Sequence, residues 1–417
     1  MHNTLLRKVI LTNAHAGDGG ITDDLQTILN VVRLHLGMKV AFISEFTQDK
    51  RIFKYVDSAD DSVSIKVGDS GPLEESYCKK IAGGELPQLI PDTSLNPISQ
   101  RLAFTYELSI GAYIGVPIYL PDGELYGAFC CYKHEADPTL AERDLALLRA
   151  FSDFASIIIA NKLKANRLLK EMEDRVGSIL TSQEINILYQ PIYNFNKERV
   201  TGFEALARFH TTPYRTPDVW FDEAAQVGLG EALELMAVTL ALKGLQQLPE
   251  NIFISINSSP EHILSGAIEA ALAYVPAERV ILEMTEHARI HDYSALRAAL
   301  EPLRNRGIRL AIDDAGAGYA SFQHILELEA DIIKLDISLI HNIHKDPKRH
   351  ALATSLIAFA RATGCEVVAE GIETSDELLA LRKLGVHKVQ GYFIGHPMPL
   401  AEAAKCSLNL AHKQSTG

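Results

Sequence analysis

In the second half of this 417-residue chain, acids, amides and one lysine recur inside or at the ends of short apolar runs. The runs are Glu184–Asn194, Val200–His210, Asn251–Ser259, Arg279–Glu286, Arg309–Gly316, Asp331–Ser338, Glu366–Glu373 and Lys388–Gly395. They carry Glu204, Asn257, Glu283 with Glu286, Asp313 with Asp314, Lys334 with Asp336, Glu370 with Glu373, and Gln390. Carboxylates in segments such as Leu310-Ala311-Ile312-Asp313-Asp314 are badly placed for a plain core, because a buried ionised acid is costly unless paired or metal-bound. Several in series predict one shared polar cavity. Its chemistry would be two-cation cleavage of a phosphodiester.

The segments between the runs must position these residues, and their periodicity is helical. Asp292–Arg306 puts Leu296, Ala299, Leu300 and Leu303 on one face, and Lys348–Thr363 does the same with Leu352, Leu356, Phe359 and Ala360. Strand and helix in alternation, joined by short loops, predict a parallel sheet with right-handed crossovers. The stretch from Ile179 to the end has about the length of one (β/α)8 barrel, a fold whose chemistry lies at the C-terminal strand ends.

The segment Gly202-Phe203-Glu204-Ala205-Leu206-Ala207-Arg208 resembles the signature of the EAL family, bacterial phosphodiesterases that linearise cyclic di-GMP. The likeness continues in order through Tyr189-Gln190-Pro191-Ile192, Ile256-Asn257-Ser258-Ser259, Leu282-Glu283-Met284-Thr285-Glu286, Ile312-Asp313-Asp314, Ile333-Lys334-Leu335-Asp336, Val368-Ala369-Glu370-Gly371-Ile372-Glu373 and Val389-Gln390-Gly391-Tyr392. As a set this is specific, where the Glu-Ala-Leu tripeptide alone would be weak.

The resemblance implies a role for each position. Glu204, Asn257, Glu283 and Asp313 would hold one divalent cation, an all-oxygen set suited to Mg²⁺ or Mn²⁺. Asp313 would bridge to a second cation held by Asp314 and Glu370, giving two per active site. Lys334 would orient the attacking water and offset negative charge, and Glu370, assisted by Gln390, would accept its proton. Arg208 and Gln190 would contact the substrate, and Glu286 and Asp336 would act from behind the metal ligands. The implied reaction is hydrolysis of cyclic di-GMP to linear 5′-pGpG. The alternative is a catalytically silent cyclic di-GMP receptor that signals through a dimer.

Two segments depart from the family pattern. The loop after Asp314 reads Ala315-Gly316-Ala317-Gly318-Tyr319-Ala320 where Phe-Gly-Thr-Gly-Tyr-Ser is usual, and Ala225 stands where an acid is common. Neither removes an implied metal ligand.

The first part of the chain reads as a different domain. Asp23–Leu36 is an amphipathic helix, Val40–Phe46 and Ile52–Val56 are strands, and Ala112–Leu120 with Leu125–Tyr132 form a hairpin around Pro121-Asp122-Gly123. With Gly83-Gly84-Glu85-Leu86-Pro87 and Gly115-Val116-Pro117-Ile118-Tyr119 this plan resembles a GAF domain, which implies a sensor of a small molecule or protein, or a dimerisation module. The expected organisation is a loose tail over 1–20, a GAF-like α/β domain over 21–160, a helical linker over 161–180 and an EAL barrel over 181–417. From Leu148 through Phe151, Ala155, Ile158, Lys162, Ala165, Leu169, Met172 and Val176 to Ile179 a 3,4 spacing persists. It fits either a helix packed on its own sheet or the seam of a parallel coiled-coil dimer.

Composition bounds the rest. A net charge of −13 without a basic run argues against long nucleic acid as a partner. Met1–Ile10 lacks the apolar core of a signal peptide, and no stretch approaches a membrane span, so a cytoplasmic protein is expected. The five scattered cysteines do not suggest a disulfide framework. Cys78, Cys130 and Cys131 could be redox or chromophore sites or plain buried thiols, and Trp220 reads as packing.

Overall fold

The computed structural model describes residues 20–59, 65–285, 288–315 and 320–412. The expected tail therefore lies outside the described residues except for Gly20, where the first helix starts. The chain divides between Leu168 and Leu169 into two compact units.

In the first unit, alternating apolar residues build a sheet that is buried on both faces. Strands β1 (Val40–Phe46), β2 (Lys50–Ser58), β3 (Ser70–Pro72), β4 (Leu89–Ile90), β5 (Ala112–Tyr119) and β6 (Leu125–Lys133) form one antiparallel sheet in the order β3-β2-β1-β6-β5-β4. One face carries Ala41, Ile43, Ile114, Phe129 and Cys131 against the helix Gly20–His35 and the start of the helix Glu142–Ser182. The other carries Val40, Phe42, Tyr113, Cys130 and Tyr132 against the short helix Tyr77–Ala82 and the segments around it.

The second unit is a closed barrel of eight strands in the TIM-barrel manner, with an α/β plan around it. Its strands are β7 (Ile185–Asn194), β8 (Arg199–Phe209), β9 (Phe253–Asn257), β10 (Val280–Thr285), β11 (Arg309–Ala315), β12 (Ile332–Leu335), β13 (Glu366–Ala369) and β14 (Lys388–Gln390). Each falls within or across one of the apolar runs. The helix Tyr293–Asn305 buries the face its spacing predicts through Leu296, Leu300 and Leu303, while Pro347–Thr363 buries Leu356 and Ala360 with Ala353 and Ile357 and leaves the expected Leu352 exposed.

The expectation of an all-parallel sheet needs correction. β7 runs antiparallel to both neighbours, pairing Gln190 with Glu204 on β8 and Ile192 with Gln390 on β14. The reason lies in the connection: only Phe195–Glu198 separate β7 from β8, and a parallel crossover needs a dozen or more residues.

The long helix Glu142–Ser182 contributes to both cores. Leu148 and Ala155 are buried on the first unit's sheet, while Val176 and Ile179 are buried with Phe209 and Trp220 of the second. Trp220 is packing as expected, stacked on Phe209 at 5.3 Å. Of the 3,4 series, Ala165 and Leu169 are the exposed members. No helix among the described residues is long and apolar enough to cross a membrane.

Candidate active site

Every barrel strand delivers a polar residue to one cluster. Gln190 comes from β7, Glu204 from β8, Asn257 from the end of β9, Glu283 from β10, Asp313 and Asp314 from β11, Lys334 from β12, Glu370 from just after β13 and Gln390 from β14. Parallel register aligns them: Asn257 lies beside Glu283, and Thr285 beside Asp313. Gly371 follows Glu370 with φ +67°, and a Cβ there would lie 2.2 Å from the Ile337 side chain, so glycine is required for the turn that ends this strand. Asp314 also has positive φ, +57°, although it is not glycine. Aspartate, with asparagine, tolerates this left-handed conformation better than most residues.

At the centre stands Lys334, 1% exposed. Its Nζ donates to Glu283 Oε2 and Asp313 Oδ2, each at 2.9 Å, and lies 2.6 Å from Glu370 Oε1 and 3.6 Å from Glu204 Oε2. One ammonium thus faces four carboxylates. Burial alone would lower the lysine's pKa, but Asp313, Glu204, Glu283 and Glu370 outweigh it and hold the group well above its usual range. The acids bear the opposite strain. Burial pushes Glu283 up to about 8, with Glu204 and Asp313 adding like-charge repulsion against the pull of Lys334. Glu370 is raised well above the carboxylate range, again by burial first and then by Asp313, Glu204 and Glu283.

This negative excess is what divalent cations would relieve. The carboxylate oxygens of Glu204, Glu283 and Asp313 come within 4.8 Å of one another, as do those of Asp313, Asp314 and Glu370. Asp313 belongs to both sets. The donors are all oxygens, which suits a hard cation such as Mg²⁺ or Mn²⁺. Asn257 adds an amide beside the first set, its Nδ2 reaching Glu204 Oε1 at 3.5 Å.

The amides form a row across three strands: Gln390 Nε2 donates to Gln190 Oε1 at 3.1 Å and to Glu204 Oε2 at 2.5 Å. The antiparallel β7 lies between β14 and β8 and so puts Gln190 between Gln390 and Glu204. The Asp336 carboxylate caps the helix Ile337–Ile340 by accepting from Ser338 N at 2.9 Å. Glu286 and the loop residues 316–319 lie outside the described residues.

A cavity of about 570 Å³ meets the cluster at Glu283 and Asn257 and is lined further by Arg208, Asp218, Phe221 and Arg289. Arg208 is half-buried, with one guanidinium nitrogen bonded to Ala207 O at 2.7 Å. Asp218, Arg289 and Glu234 were not found by sequence reasoning. Glu234 is buried and holds the turn after Asn257, accepting from Ser258 Oγ at 3.1 Å and Ser259 Oγ at 2.7 Å. The available signal was an acid between apolar neighbours in the helix Gly230–Leu245.

An EAL domain model matches residues 173–397. The chain belongs to the EAL domain family. Ahead of the EAL domain, a GAF domain model matches residues 21–159. An "Uncharacterized signaling protein" of Caulobacter vibrioides is 28% identical over 78% of this chain and 41% of its own length. "Cyclic di-GMP phosphodiesterase PA2567" of Pseudomonas aeruginosa is 32% identical over 56% of this chain and 41% of its own. The EAL chain thus spans less than half the length of these curated relatives. Among solved structures, "PaMucR Phosphodiesterase, c-di-GMP complex" superimposes with TM-score 0.51 at 26% identity, covering 56% of this chain and 99% of that one.

Proposed function

We propose that this chain is a metal-dependent phosphodiesterase that opens cyclic di-GMP to linear 5′-pGpG under the influence of its GAF domain. The observation that carries the reading is the pair of carboxylate sets sharing Asp313, gathered around Lys334 and meeting a cavity at Glu283 and Asn257. Relatives named as cyclic di-GMP phosphodiesterases support the substrate class.

Glu204, Asn257, Glu283 and Asp313 would hold one cation, and Asp313, Asp314 and Glu370 the other. Bound there, Mg²⁺ or Mn²⁺ lowers the pKa of water and neutralises phosphate charge. The chain's own groups do the rest. Lys334 keeps its proton and presents positive charge where negative charge develops on the phosphate. Glu370, at the more open side of the cluster with 19% side-chain exposure, accepts the proton released from water on its carboxylate. Arg208 grips a phosphate oxygen from the cavity wall, and Gln390 and Gln190 keep Glu204 aimed inward.

Incubating the purified chain with cyclic di-GMP and Mg²⁺ or Mn²⁺, and resolving the products by chromatography, tests this reading. Accumulation of the linear dinucleotide, stopped by a chelator, is the expected result. Tight binding without turnover at any cation concentration would instead leave the silent receptor.

A further inference from the structure

The GAF unit buries a group of reactive side chains that the phosphodiester chemistry does not use. Cys78, on the helix Tyr77–Ala82, and Cys130, on β6, are both fully buried, and their sulfurs lie 3.6 Å apart. The Tyr113 hydroxyl is 3.6 Å from Cys78 Sγ. Room for the sulfurs is kept by Gly115 across the sheet, where an added Cβ would stand 2.9 Å from Cys130 Sγ.

The same core holds Arg51, 2% exposed and held between the rings of Phe53 and Phe104 at 4.3 Å from each. Its Nε and Nη2 have no hydrogen-bond partner among the described residues, and no acid there pairs with it. A buried guanidinium without a counter-ion is costly, so a nearby group that can become an anion is favoured to do so. Cys78 is that group. Burial alone would raise its pKa, but the hydrogen bond from Cys130, the charge of Arg51 and the hydroxyl of Tyr113 outweigh it and hold the thiol below its ordinary range. Burial pushes Cys130 the other way, with the charge of Cys78 adding to it. The two shifts run in opposite directions and distinguish the sulfurs, with Cys78 the one favoured as a thiolate.

We propose that Cys78 and Cys130 form a reversible disulfide on reaction with a hydroperoxide, with Arg51 as the positioning residue that activates Cys78. The Cys78 thiolate attacks one oxygen of the peroxide, forming S–O and breaking O–O; the departing oxygen takes a proton from solvent and leaves as water or alcohol. The Cys130 sulfur then attacks the resulting sulfenic acid, forming S–S and breaking S–O, and its proton leaves with the hydroxyl as water. The two thiols supply the two electrons that reduce the peroxide.

The test treats the full chain with hydrogen peroxide, blocks remaining thiols after unfolding, and maps peptides by mass spectrometry. The expected product is a cross-link joining the peptides of Cys78 and Cys130, reversed by dithiothreitol and formed ahead of oxidation at the more exposed Cys406. In Cys130→Ser the reaction should halt at a Cys78 sulfenic acid that dimedone traps. Arg51→Met, checked by circular dichroism for native structure, should oxidise about tenfold more slowly at neutral pH, because an ordinary thiol is only a few per cent ionised there. Both thiols staying alkylatable while Cys406 oxidises would overturn the proposal. An unchanged rate in folded Arg51→Met would remove Arg51 from it.

Discussion

The ammonium of Lys334 lies 2.9 Å from Asp313 Oδ2, and Asp313 belongs to both carboxylate sets. The two side chains come from neighbouring strands, β12 and β11, and meet inside the barrel where water is scarce. Their contact joins the balance of charge in the protein to the chemistry proposed for it. A change at either residue should be read out in both stability and rate.

Asp313→Asn should reduce turnover by about a thousandfold or more at saturating Mg²⁺, since loss of a shared charged ligand removes several kcal/mol of transition-state stabilisation. The barrel should stay folded, because one like charge leaves a crowded cluster. Initial rates and melting temperature, measured together, check both halves. Near-normal activity would remove Asp313 from the centre of the site.

Lys334→Ala should behave differently in the two readouts. Without cations it leaves the acids uncompensated, and breaking a buried ion pair of this kind costs about 3–5 kcal/mol. Mn²⁺ should restore much of the lost melting temperature but not the rate. Glu370→Gln should bind substrate while losing about 10²–10⁴-fold in rate. If Glu370→Gln instead loses affinity at unchanged saturating rate, its role is recognition.

The elevated Glu283 predicts how metal-free protein responds to pH. Its folded pKa of about 8 exceeds the unfolded carboxylate value of about 4.3, so the folded state keeps a proton that the unfolded state has released. Stability from this group is fully present below the unfolded value and is lost as pH rises toward about 8. Chelated protein should therefore melt at progressively lower temperature across that window. Saturating Mg²⁺ should flatten the slope, which calorimetry at several pH values would reveal.

The end of the long helix belongs to the barrel's own core. Val176 is fully buried with Trp220, and Arg175 Nη2 bonds Glu223 Oε1 at 2.8 Å. A barrel fragment beginning at Leu169 should melt several degrees above one beginning at Ile179, which lacks both contacts. Val176→Ala in the longer fragment should cost about 1–3 kcal/mol by the cavity it leaves. Equal melting temperatures for the two fragments would contradict this packing.

Much of the barrel was legible because its signal is local. Acids such as Asp313 and Glu370 stand out against apolar strands, and burial makes any polar residue there expensive enough to need a purpose. Direction is not written in a strand's residues. The reversal of β7 could be read only from the four-residue link Phe195–Glu198, and with it the partnership of Gln390 and Glu204 was missed. Arg289 and Asp218 lie outside the strands, where no alternation marks them. The 3,4 spacing to Val176 and Ile179 identified a helix face but could not say that Phe209 and Trp220 cover its end. Likewise, no pattern linked Cys78 to Cys130, which meet only because the helix Tyr77–Ala82 settles on the sheet.

In a barrel whose strands all run one way, the chain enters at the rim opposite the strand ends that carry the chemistry. Here Ile185, the first residue of β7, pairs with Phe209 at the far end of β8, so the chain enters at the same rim as the acids. The helix Pro217–Gln226, which leads on from that rim, presents Asp218 and Phe221 to the cavity and Trp220 and Glu223 to the incoming helix. The helix that leads into β7 is therefore joined to the barrel at the rim that carries the acids and not at the opposite one.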